Sequence, residues 1–272
     1  MATVGIATGA GRGMGLACAR RMAGMVDRLV LVDVDEASVT AAAKDLTDAG
    51  SGAVAEPFVL DITDREGLVR LAADVRGAGT LRAVVHAAGI SPTMASWRRI
   101  LEVDLVGTAM LAEALRPMAT AGTAIVCFAS MAPLLARSEP APAVAAILDD
   151  PLGELLPDRL RDALGPAVED PGMAYAWAKH GVQRFVRHEA VRLGPAGARI
   201  CSVSPGIIDT PQGRQEAANH PTMATLVQQT PLRREGRPEE VAAVVAFLLS
   251  AEASFVNGTD VLIDGGVCAA VS

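Results

Sequence analysis

The sequence predicts an α/β protein built on a doubly wound parallel sheet of about seven strands with helices on both faces. Two observations support this prediction. Short apolar runs alternate with longer helical patterns along the whole chain, which indicates repeated βαβ units. Several runs, such as LVLV at 29–32 and AIVCFA at 124–129, are continuously apolar. Such runs are typical of strands that are covered on both faces, as they are in a parallel sheet.

The alternation gives the elements in order. The predicted strands are 3–8, 28–33, 53–61, 81–89, 123–130, 198–206 and 260–264. The predicted helices between them are 13–26, 35–49, 64–78, 94–117, 173–194 and 238–250. Because no stretch resembles an interdomain linker, residues 1–272 are expected to form a single domain.

Two segments depart from the alternation. Residues 131–172 are rich in Pro, Ala and Leu, and residues 207–236 show no strand pattern. Departures of this length inside a compact domain usually form functional loops, lids or interfaces. We therefore expect a mostly helical insertion at 131–172 and a substrate loop at 207–236.

Composition excludes several classes of protein. The formal net charge of −7 argues against a nucleic-acid partner, because phosphates demand a basic surface. Basic residues are scattered, and no apolar run reaches the roughly 18 residues of a membrane span. The four cysteines match no metal or CxxC spacing, so we expect reduced thiols, no metal site and a cytoplasmic location.

A glycine-rich stretch, TGAGRGMG at 8–15, joins the first predicted strand to the first helix. Glycines let backbone N–H groups approach a pyrophosphate, and the helix N-terminus adds its partial positive charge. The spacing of Gly9, Gly13 and Gly15 is GxxxGxG and not the common GxGxxG, so a glycine turn without a ligand is the alternative. A P-loop is excluded because no Gly-Lys-Ser/Thr follows.

Asp33 ends the second predicted strand, where a carboxylate would accept hydrogen bonds from the adenosine ribose hydroxyls. The same charge would repel a 2′-phosphate, so NAD is the expected cofactor. The alternative role for Asp33 is a helix cap, although Asp35 is an equally good cap. Arg12 favours NADP instead, because its guanidinium in the glycine loop would pair with a 2′-phosphate.

Tyr175 is the only tyrosine of the chain, and Lys179 is one of its two lysines. On a helix this i,i+4 pair shares one face, so the ammonium would lie beside the phenol. The alternative is an amphipathic helix with an interfacial Tyr and a solvated Lys.

The chain also contains DIT at 61–63, HAAG at 86–89, a serine after the fifth strand and SPGIIDTP at 204–211. Together with the glycine loop and the Tyr175–Lys179 pair, and in their order along the chain, these motifs resemble those of the short-chain dehydrogenase/reductase family. The resemblance implies a Rossmann-type fold, a nicotinamide dinucleotide, and an alcohol or ketone substrate.

The resemblance also implies the catalytic roles. Tyr175 would be the acid/base, Lys179 would support it, and Ser130 would hydrogen-bond the substrate oxygen, unless Ser130 simply ends a strand. An isolated tyrosine, with a pKa of about 10, is a poor base near neutrality. The Lys179 ammonium and the oxidised nicotinamide are expected to lower the pKa of Tyr175.

Further positions of the resemblance would bind the cofactor. Lys179 would hold the nicotinamide ribose and Thr210 the carboxamide, while Asp61 and Ile62 would lie beside the adenine, although Asp61 would equally cap a helix starting near Thr63. The full predicted set is Gly9, Arg12, Gly13, Met14, Gly15, Asp33, Asp61, Ile62, Ala88, Gly89, Tyr175, Lys179, Pro205, Gly206, Ile208 and Thr210.

The chain departs from the family pattern in two places. Asp104 stands where the family usually has an asparagine implicated in a water relay to the lysine, so its role as a catalytic residue is an open question. The long insertion between Ser130 and Tyr175 resembles that of bacterial 3α-hydroxysteroid dehydrogenase/carbonyl reductases, where it lies near the substrate entrance and alters the subunit interface. A bulky apolar substrate and a homodimer or homotetramer are therefore expected.

Leu156, Leu160 and Leu164 repeat at i,i+4 within the insertion, which predicts a helix with one buried face. That face would cover the substrate mouth or a partner subunit, or else pack on the protein's own body.

Two other functions stay open. An NADP-dependent 3-oxoacyl thioester reductase would favour a basic residue near position 33 or 34, where this chain has Asp33-Val34. A non-catalytic dinucleotide-sensing protein would usually lack Ser, Tyr or Lys at the active site, whereas all three are present.

Overall fold

The computed structural model describes residues 1–50, 52–136, 140–219 and 222–271. Within them, seven parallel strands form one sheet in the order β3-β2-β1-β4-β5-β6-β7. The strands are β1 (Thr3–Thr8), β2 (Arg28–Asp33), β3 (Val54–Val59), β4 (Thr80–His86), β5 (Ala124–Phe128), β6 (Arg199–Pro205) and β7 (Asp260–Ile263). The chain builds outward from β1 in one direction and from β4 in the other. The carboxyl ends of β1 and β4 therefore flank a switch point, where α/β sheets bind ligands.

Helices flank both faces of this sheet. They are α1 (Gly13–Met22), α2 (Glu36–Asp48), α3 (Arg65–Ala78), α4 (Trp97–Leu101), α5 (Thr108–Leu115), α6 (Ala132–Leu135), α7 (Pro142–Leu148), α8 (Leu156–Leu164), α9 (Pro171–Leu193), α10 (Pro211–Asn219), α11 (Thr222–Gln229), α12 (Pro238–Leu249) and α13 (Val267–Val271). The predicted doubly wound α/β fold is confirmed. No helix in the described parts of the chain is long and apolar enough to cross a membrane.

The core has two layers, one on each side of the sheet. Alternate residues of β2 point to opposite layers: Val30 and Val32 pack with α3, α5 and α9, while Leu29 and Leu31 pack with α1, α2 and α12. All four side chains are almost completely buried. The continuous apolar run read from the sequence is thus explained by burial on both faces.

The predicted helix 94–117 is present from Trp97 to Leu115, but it is not α-helical throughout. A π-helical segment from Glu102 to Gly107 lies between α4 and α5. Apolar periodicity does not distinguish one π turn from the α-helix around it, so the sequence did not indicate this break. π segments in helices are frequent at functional sites, and this one carries Asp104.

The insertion at 131–172 is helical, as predicted, in its described residues. Leu148, Leu156 and Leu160 are fully buried in the protein's own core. Two Arg–Asp ion pairs outside the core also attach the insertion to neighbouring helices. One joins Asp149 to Arg184 of α9, and the other joins Asp158 of α8 to Arg98 of α4. The leucine face of α8 therefore packs on the protein's own body, and the alternative interpretation of the stripe is the correct one.

Candidate active site

A cavity of about 520 Å³ opens at the carboxyl ends of the strands, at the switch point between β1 and β4. Every predicted cofactor residue except Lys179 lines it, and Ser130 lines it as well. Lys179 and Asp104 lie behind the wall, both buried. Ligand cavities of comparable volume are typical of small-molecule and cofactor sites.

The glycine loop depends on glycine at specific positions. Gly9 has φ +63° and Gly13 has φ +59°, a left-handed conformation that other residues rarely adopt. A Cβ on Gly9 would lie 2.8 Å from the backbone nitrogen of Ala88, and a Cβ on Gly15 would overlap the carbonyl oxygen of Gly9. The loop therefore packs closely enough to bring α1 and its N-terminus to the cavity, which fits a bound pyrophosphate.

Asp33 lies in the cavity wall and does not cap α2. Its Oδ2 accepts a hydrogen bond of 2.9 Å from the Gly11 backbone N–H, and its Oδ1 accepts one of 3.1 Å from Asp35. Asp35 is the cap, since its carboxylate accepts from the N–H groups of Ala37 and Ser38. The carboxylate at the end of β2 is therefore held by the glycine loop and faces the site predicted for a ribose.

Asp61 also lines the cavity and does not cap a helix. It accepts hydrogen bonds from the Thr63 backbone N–H at 2.9 Å and from the Thr63 hydroxyl at 2.7 Å, and it pairs with Arg99. The residue at the N-cap of α3 is Asp64, so the capping alternative is wrong. Burial works to raise the pKa of Asp61, but the Thr63 hydrogen bonds and the Arg99 charge outweigh it, and the pKa is lowered.

The predicted catalytic residues come together from two elements. Ser130 follows β5 and Tyr175 lies in the first turns of α9, and both residues line the cavity. Lys179 lies one turn further along α9, with its Nζ 5.5 Å from the centroid of the Tyr175 ring. Its ammonium donates a 3.1 Å hydrogen bond to the backbone carbonyl of Phe128. The i,i+4 geometry read from the sequence is therefore present.

The direction of the Tyr175 pKa in the free chain differs from the expectation. Burial raises this pKa most, the negative charge of Asp104 raises it further, and the nearby Ser130 hydroxyl only partly offsets them. The expected lowering by Lys179 is thus not found without a cofactor. The main physical reason is burial of the phenol, and the second is the negative charge of Asp104, which lies 3.7 Å from the Lys179 ammonium.

Asp104 is fully buried and lies next to Lys179. Its Oδ1 accepts a 2.9 Å hydrogen bond from the Ile90 backbone N–H, and its Oδ2 lies 3.7 Å from Lys179 Nζ. No hydrogen-bond partner within the described residues reaches that Oδ2. Burial raises the pKa of Asp104, against the opposing effects of the Lys179 charge and the Ile90 N–H. A Cβ on Gly89 would lie 2.9 Å from Oδ1, so a glycine there makes room for the carboxylate.

A buried chain of hydrogen bonds, which the sequence did not indicate, links this region to β1. His86 Nδ1 lies 2.8 Å from the Thr8 hydroxyl, and His86 Nε2 lies 3.0 Å from the Thr108 hydroxyl. Thr108 donates to the carbonyl oxygen of Asp104, so it accepts from Nε2–H, which leaves Nδ1 as an acceptor for Thr8. Thr8 in turn accepts from the Ala88 N–H. His86 is therefore neutral, and burial, aided by the Lys179 charge, lowers its pKa to about 3.

Part of the cavity wall is apolar. Side chains from the 91–96 loop, from the first residues of the insertion and from the predicted substrate loop form it: Pro92, Met94, Met131, Leu135, Ile207, Met223 and Leu226. Gln212 and Glu216 of α10 are the polar side chains contributed by the substrate loop beyond Thr210. Among the described residues of the insertion, only those near its two ends line the cavity, and α7 and α8 do not. Sequence reasoning missed Glu216, because its segment carries no motif.

The fold and the cavity together define a Rossmann-type α/β protein with a partly buried phenol in the cavity wall. A sequence model of the family described as enoyl-(acyl carrier protein) reductase matches residues 9–146 and 165–268. The unmatched stretch lies inside the insertion.

Known proteins agree with this class over almost the whole chain. The chain is 34% identical to cis-4-hydroxycyclohexanecarboxylate dehydrogenase of Sinomonas cyclohexanicum, over 98% of this chain and 96% of the relative. It is 30% identical to 3-alpha-hydroxysteroid dehydrogenase/carbonyl reductase of Comamonas testosteroni, over 77% and 82%. The crystal structure of levodione reductase superposes with a TM-score of 0.76 at 28% identity, covering 98% of this chain and 97% of that one.

The chain therefore belongs to the short-chain dehydrogenase/reductase family. It is an oxidoreductase that acts on CH–OH groups, and the family uses a nicotinamide dinucleotide cofactor.

Proposed function

We propose that this protein is an NAD-dependent dehydrogenase and ketone reductase for a bulky, apolar secondary alcohol, of which a hydroxysteroid is one example. The observation that carries the proposal is that one cavity is lined both by Asp33, at the end of β2, and by Ser130 and Tyr175. A dinucleotide laid between them would place its adenosine ribose near the carboxylate and its nicotinamide near the phenol.

The chain's own residues have distinct roles in this proposal. Ser130 donates a hydrogen bond to the substrate oxygen, and Tyr175 gives a proton to that oxygen in reduction or takes one from it in oxidation. Lys179 supports the phenol from behind the cavity wall, and the ribose contact expected for it would require its ammonium to reach the cavity, which it does not line. The bound nicotinamide supplies or accepts the hydride. Thr210 and the backbone of Pro205 and Gly206 orient the carboxamide.

NAD is proposed over NADP because of the charge at the end of β2. The Asp33 carboxylate, fixed by the Gly11 N–H, would lie next to a 2′-phosphate and repel it. Arg12, also in the cavity wall, is the one described residue of the glycine loop that would favour the phosphate. The cation is exposed, whereas Asp33 is held in place by two backbone N–H groups, so we give Asp33 the greater weight.

The substrate is proposed to be cyclic and largely apolar. Methionine and leucine side chains are the main part of the apolar wall of the cavity, and methionine adapts its shape to bulky apolar groups. Relatives named for a hydroxycyclohexanecarboxylate, a hydroxysteroid and levodione are consistent with a ring-bearing substrate. A homodimer or homotetramer in the cytoplasm is the assembly and location we propose with it.

The test is a panel of cyclic and acyclic alcohols and ketones, each assayed with NAD(H) and NADP(H) by the absorbance of the reduced nicotinamide. The proposal expects higher kcat/KM for large cyclic substrates than for short polar ones, with NAD(H) preferred. Equal activity on short polar and large cyclic ketones would contradict the substrate assignment. A thioester reductase would instead prefer 3-oxoacyl thioesters with NADPH, so these belong in the same panel.

A further inference from the structure

Asp104 occupies an unusual position for a carboxylate. The π-helical segment Glu102–Gly107 directs it inward, where the side chain has no exposure to solvent. One oxygen is held by the Ile90 N–H, and the other lies 3.7 Å from Lys179 Nζ without a hydrogen-bond partner among the described residues. Lys179 is itself only 6% exposed, so water screens this pair poorly.

The pair changes the charge that Tyr175 experiences. A lone ammonium at the distance of Lys179 would favour the phenolate form of the tyrosine. In the alkaline range where phenols ionise, a carboxylate beside the same ammonium leaves the pair with no net charge. An asparagine at position 104 would keep an oxygen acceptor for the Ile90 N–H, but it would leave the ammonium uncompensated.

We propose that Asp104 is a positioning residue that offsets the charge of Lys179, so that Tyr175 keeps its proton through the neutral range and acts there as the proton donor in ketone reduction. The directional part of this inference rests on the proposed function. In reduction the phenol O–H bond breaks, its proton goes to the ketone oxygen as the carbonyl carbon takes up hydride from the reduced cofactor, and solvent returns a proton to the phenolate. Alcohol oxidation needs the phenolate first, so it would be confined to alkaline pH.

The other groups near Asp104 and Lys179 named below do not add a positive charge that would favour the phenolate of Tyr175. Glu216 of α10 adds a second negative charge toward Tyr175, and Ser130 contributes only a hydroxyl. His86 of β4 is neutral in its chain of hydrogen bonds. Burial raises the pKa of the Cys127 thiol on β5 to about 12, so it stays uncharged across the neutral range. Among the described residues whose charge acts on Tyr175, Asp104 is therefore the first to test.

The chain offers a direct readout because Tyr175 is its only tyrosine. The tyrosinate absorbance of the cofactor-free protein, titrated with alkali, therefore reports this one phenol, and far-UV circular dichroism reports whether the chain is still folded. In the wild type we expect no tyrosinate until well above pH 10, the ordinary pKa of a phenol, or until the fold is lost. In Asp104→Asn we expect tyrosinate in the folded protein at least one pH unit lower.

Glu216→Gln is the matched control, because it removes a carboxylate that also acts on Tyr175, but from α10 and not from the Lys179 pair. Its shift should be smaller than that of Asp104→Asn. A wild-type tyrosinate that forms below pH 10 in the folded chain would overturn the proposal, even if Asp104→Asn fails to fold. Equal titration of wild type and Asp104→Asn, or a larger shift in Glu216→Gln, would overturn it as well.

Kinetics supply the second, separate readout. With any ketone and alcohol pair that the enzyme accepts, the alkaline rise of kcat for oxidation should move to lower pH in Asp104→Asn, by about as much as the tyrosinate titration. An absorbance shift without this kinetic shift would contradict the role of Tyr175 as acid/base, while leaving the electrostatic role of Asp104 intact. Unchanged values in both readouts would contradict the electrostatic role itself.

Discussion

Asp33 and Gly11 are joined by a 2.9 Å hydrogen bond from the Gly11 backbone N–H to the Asp33 carboxylate. This bond links the end of β2 to the glycine loop, so the two elements that would hold opposite ends of an adenosine diphosphate are positioned together. It also makes the carboxylate a fixed charge and not a mobile one. Cofactor preference should therefore depend on Asp33 more than on any other side chain in the cavity.

The first prediction concerns that preference. NAD should bind at least about tenfold tighter than NADP, because a fixed carboxylate near a 2′-phosphate costs on the order of 1 kcal/mol or more. The ratio of the NADP to the NAD dissociation constant should fall in Asp33→Asn, which keeps an oxygen acceptor for the Gly11 N–H, and also in Asp33→Ser. Calorimetric titration with each cofactor measures it. Equal dissociation constants in the unmodified protein would rule the idea out.

The second prediction concerns the glycine loop. Gly15→Ala should weaken NAD binding by more than about tenfold and lower the free energy of unfolding by roughly 1–3 kcal/mol, because its Cβ would overlap the carbonyl oxygen of Gly9. Gly24→Ala is the control, since no heavy atom lies within 4 Å of a Cβ at that position. Urea unfolding and cofactor titration measure the two effects. The same response in both variants would show that the close approach of the loop does not matter.

The third prediction concerns stability and pH. Burial lowers the pKa of His86 from 6.5 to about 3, so the unfolded chain binds a proton that the folded chain does not. The contribution of neutral His86 to stability is therefore complete above pH 6.5 and is lost as pH falls toward 3, by about 1.4 kcal/mol per pH unit.

Urea unfolding of wild type and His86→Asn between about pH 4 and pH 7 isolates this contribution, because the other titrating groups are common to both. The variant should show a shallower loss of stability in acid. Parallel pH curves for wild type and His86→Asn would mean that the imidazole is not held neutral.

The fourth prediction concerns the insertion. Leu160→Ala should lower the free energy of unfolding by about 2–5 kcal/mol, because its side chain is fully buried in the main core. Leu155→Ala, at a position 70% exposed, should change it little. Neither should alter the ratio of activities on bulky and small ketones, whereas Leu135→Ala, in the cavity wall, should.

Replacement of residues 134–170 by a short Gly/Ser linker tests the role we first expected for the insertion, a cover over the substrate mouth and a subunit contact. Since α7 and α8 pack on α9 and α4, such a variant would expose their core. An unchanged substrate ratio together with an unchanged oligomer size by light scattering would exclude both roles for the insertion.

Much of this architecture could be predicted from the sequence, because strong local rules govern it. Continuous apolar runs identify buried parallel strands, and the positions of Gly9, Gly13 and Gly15 reflect conformations and close contacts that exclude side chains. The i,i+4 spacing of Tyr175 and Lys179 carries through unchanged, because both lie on one straight helix. Most of these features depend on a few neighbouring residues, whereas the approach of Gly9 to Ala88 adds a contact between two strand ends.

The features that the sequence did not indicate are those that depend on distant residues. The π segment at Glu102–Gly107 has the same apolar pattern as an α-helix, so the burial of Asp104 beside Lys179 was not visible. The chain from Thr8 through His86 to Thr108 joins three separate elements. The destination of the leucine face of α8 depends on which helices lie beneath it, which periodicity alone does not specify.

The central claim is that Tyr175 is the acid/base of a nicotinamide-dependent oxidoreductase, and Tyr175→Phe tests it most directly. The variant keeps the ring but loses the hydroxyl, so proton transfer is removed while the cavity is preserved. Turnover of the best ketone found in the panel should fall by at least 10²–10⁴-fold, with the dissociation constant for NAD changed less than about threefold. Turnover close to that of the wild type, with NAD binding intact, would contradict the account.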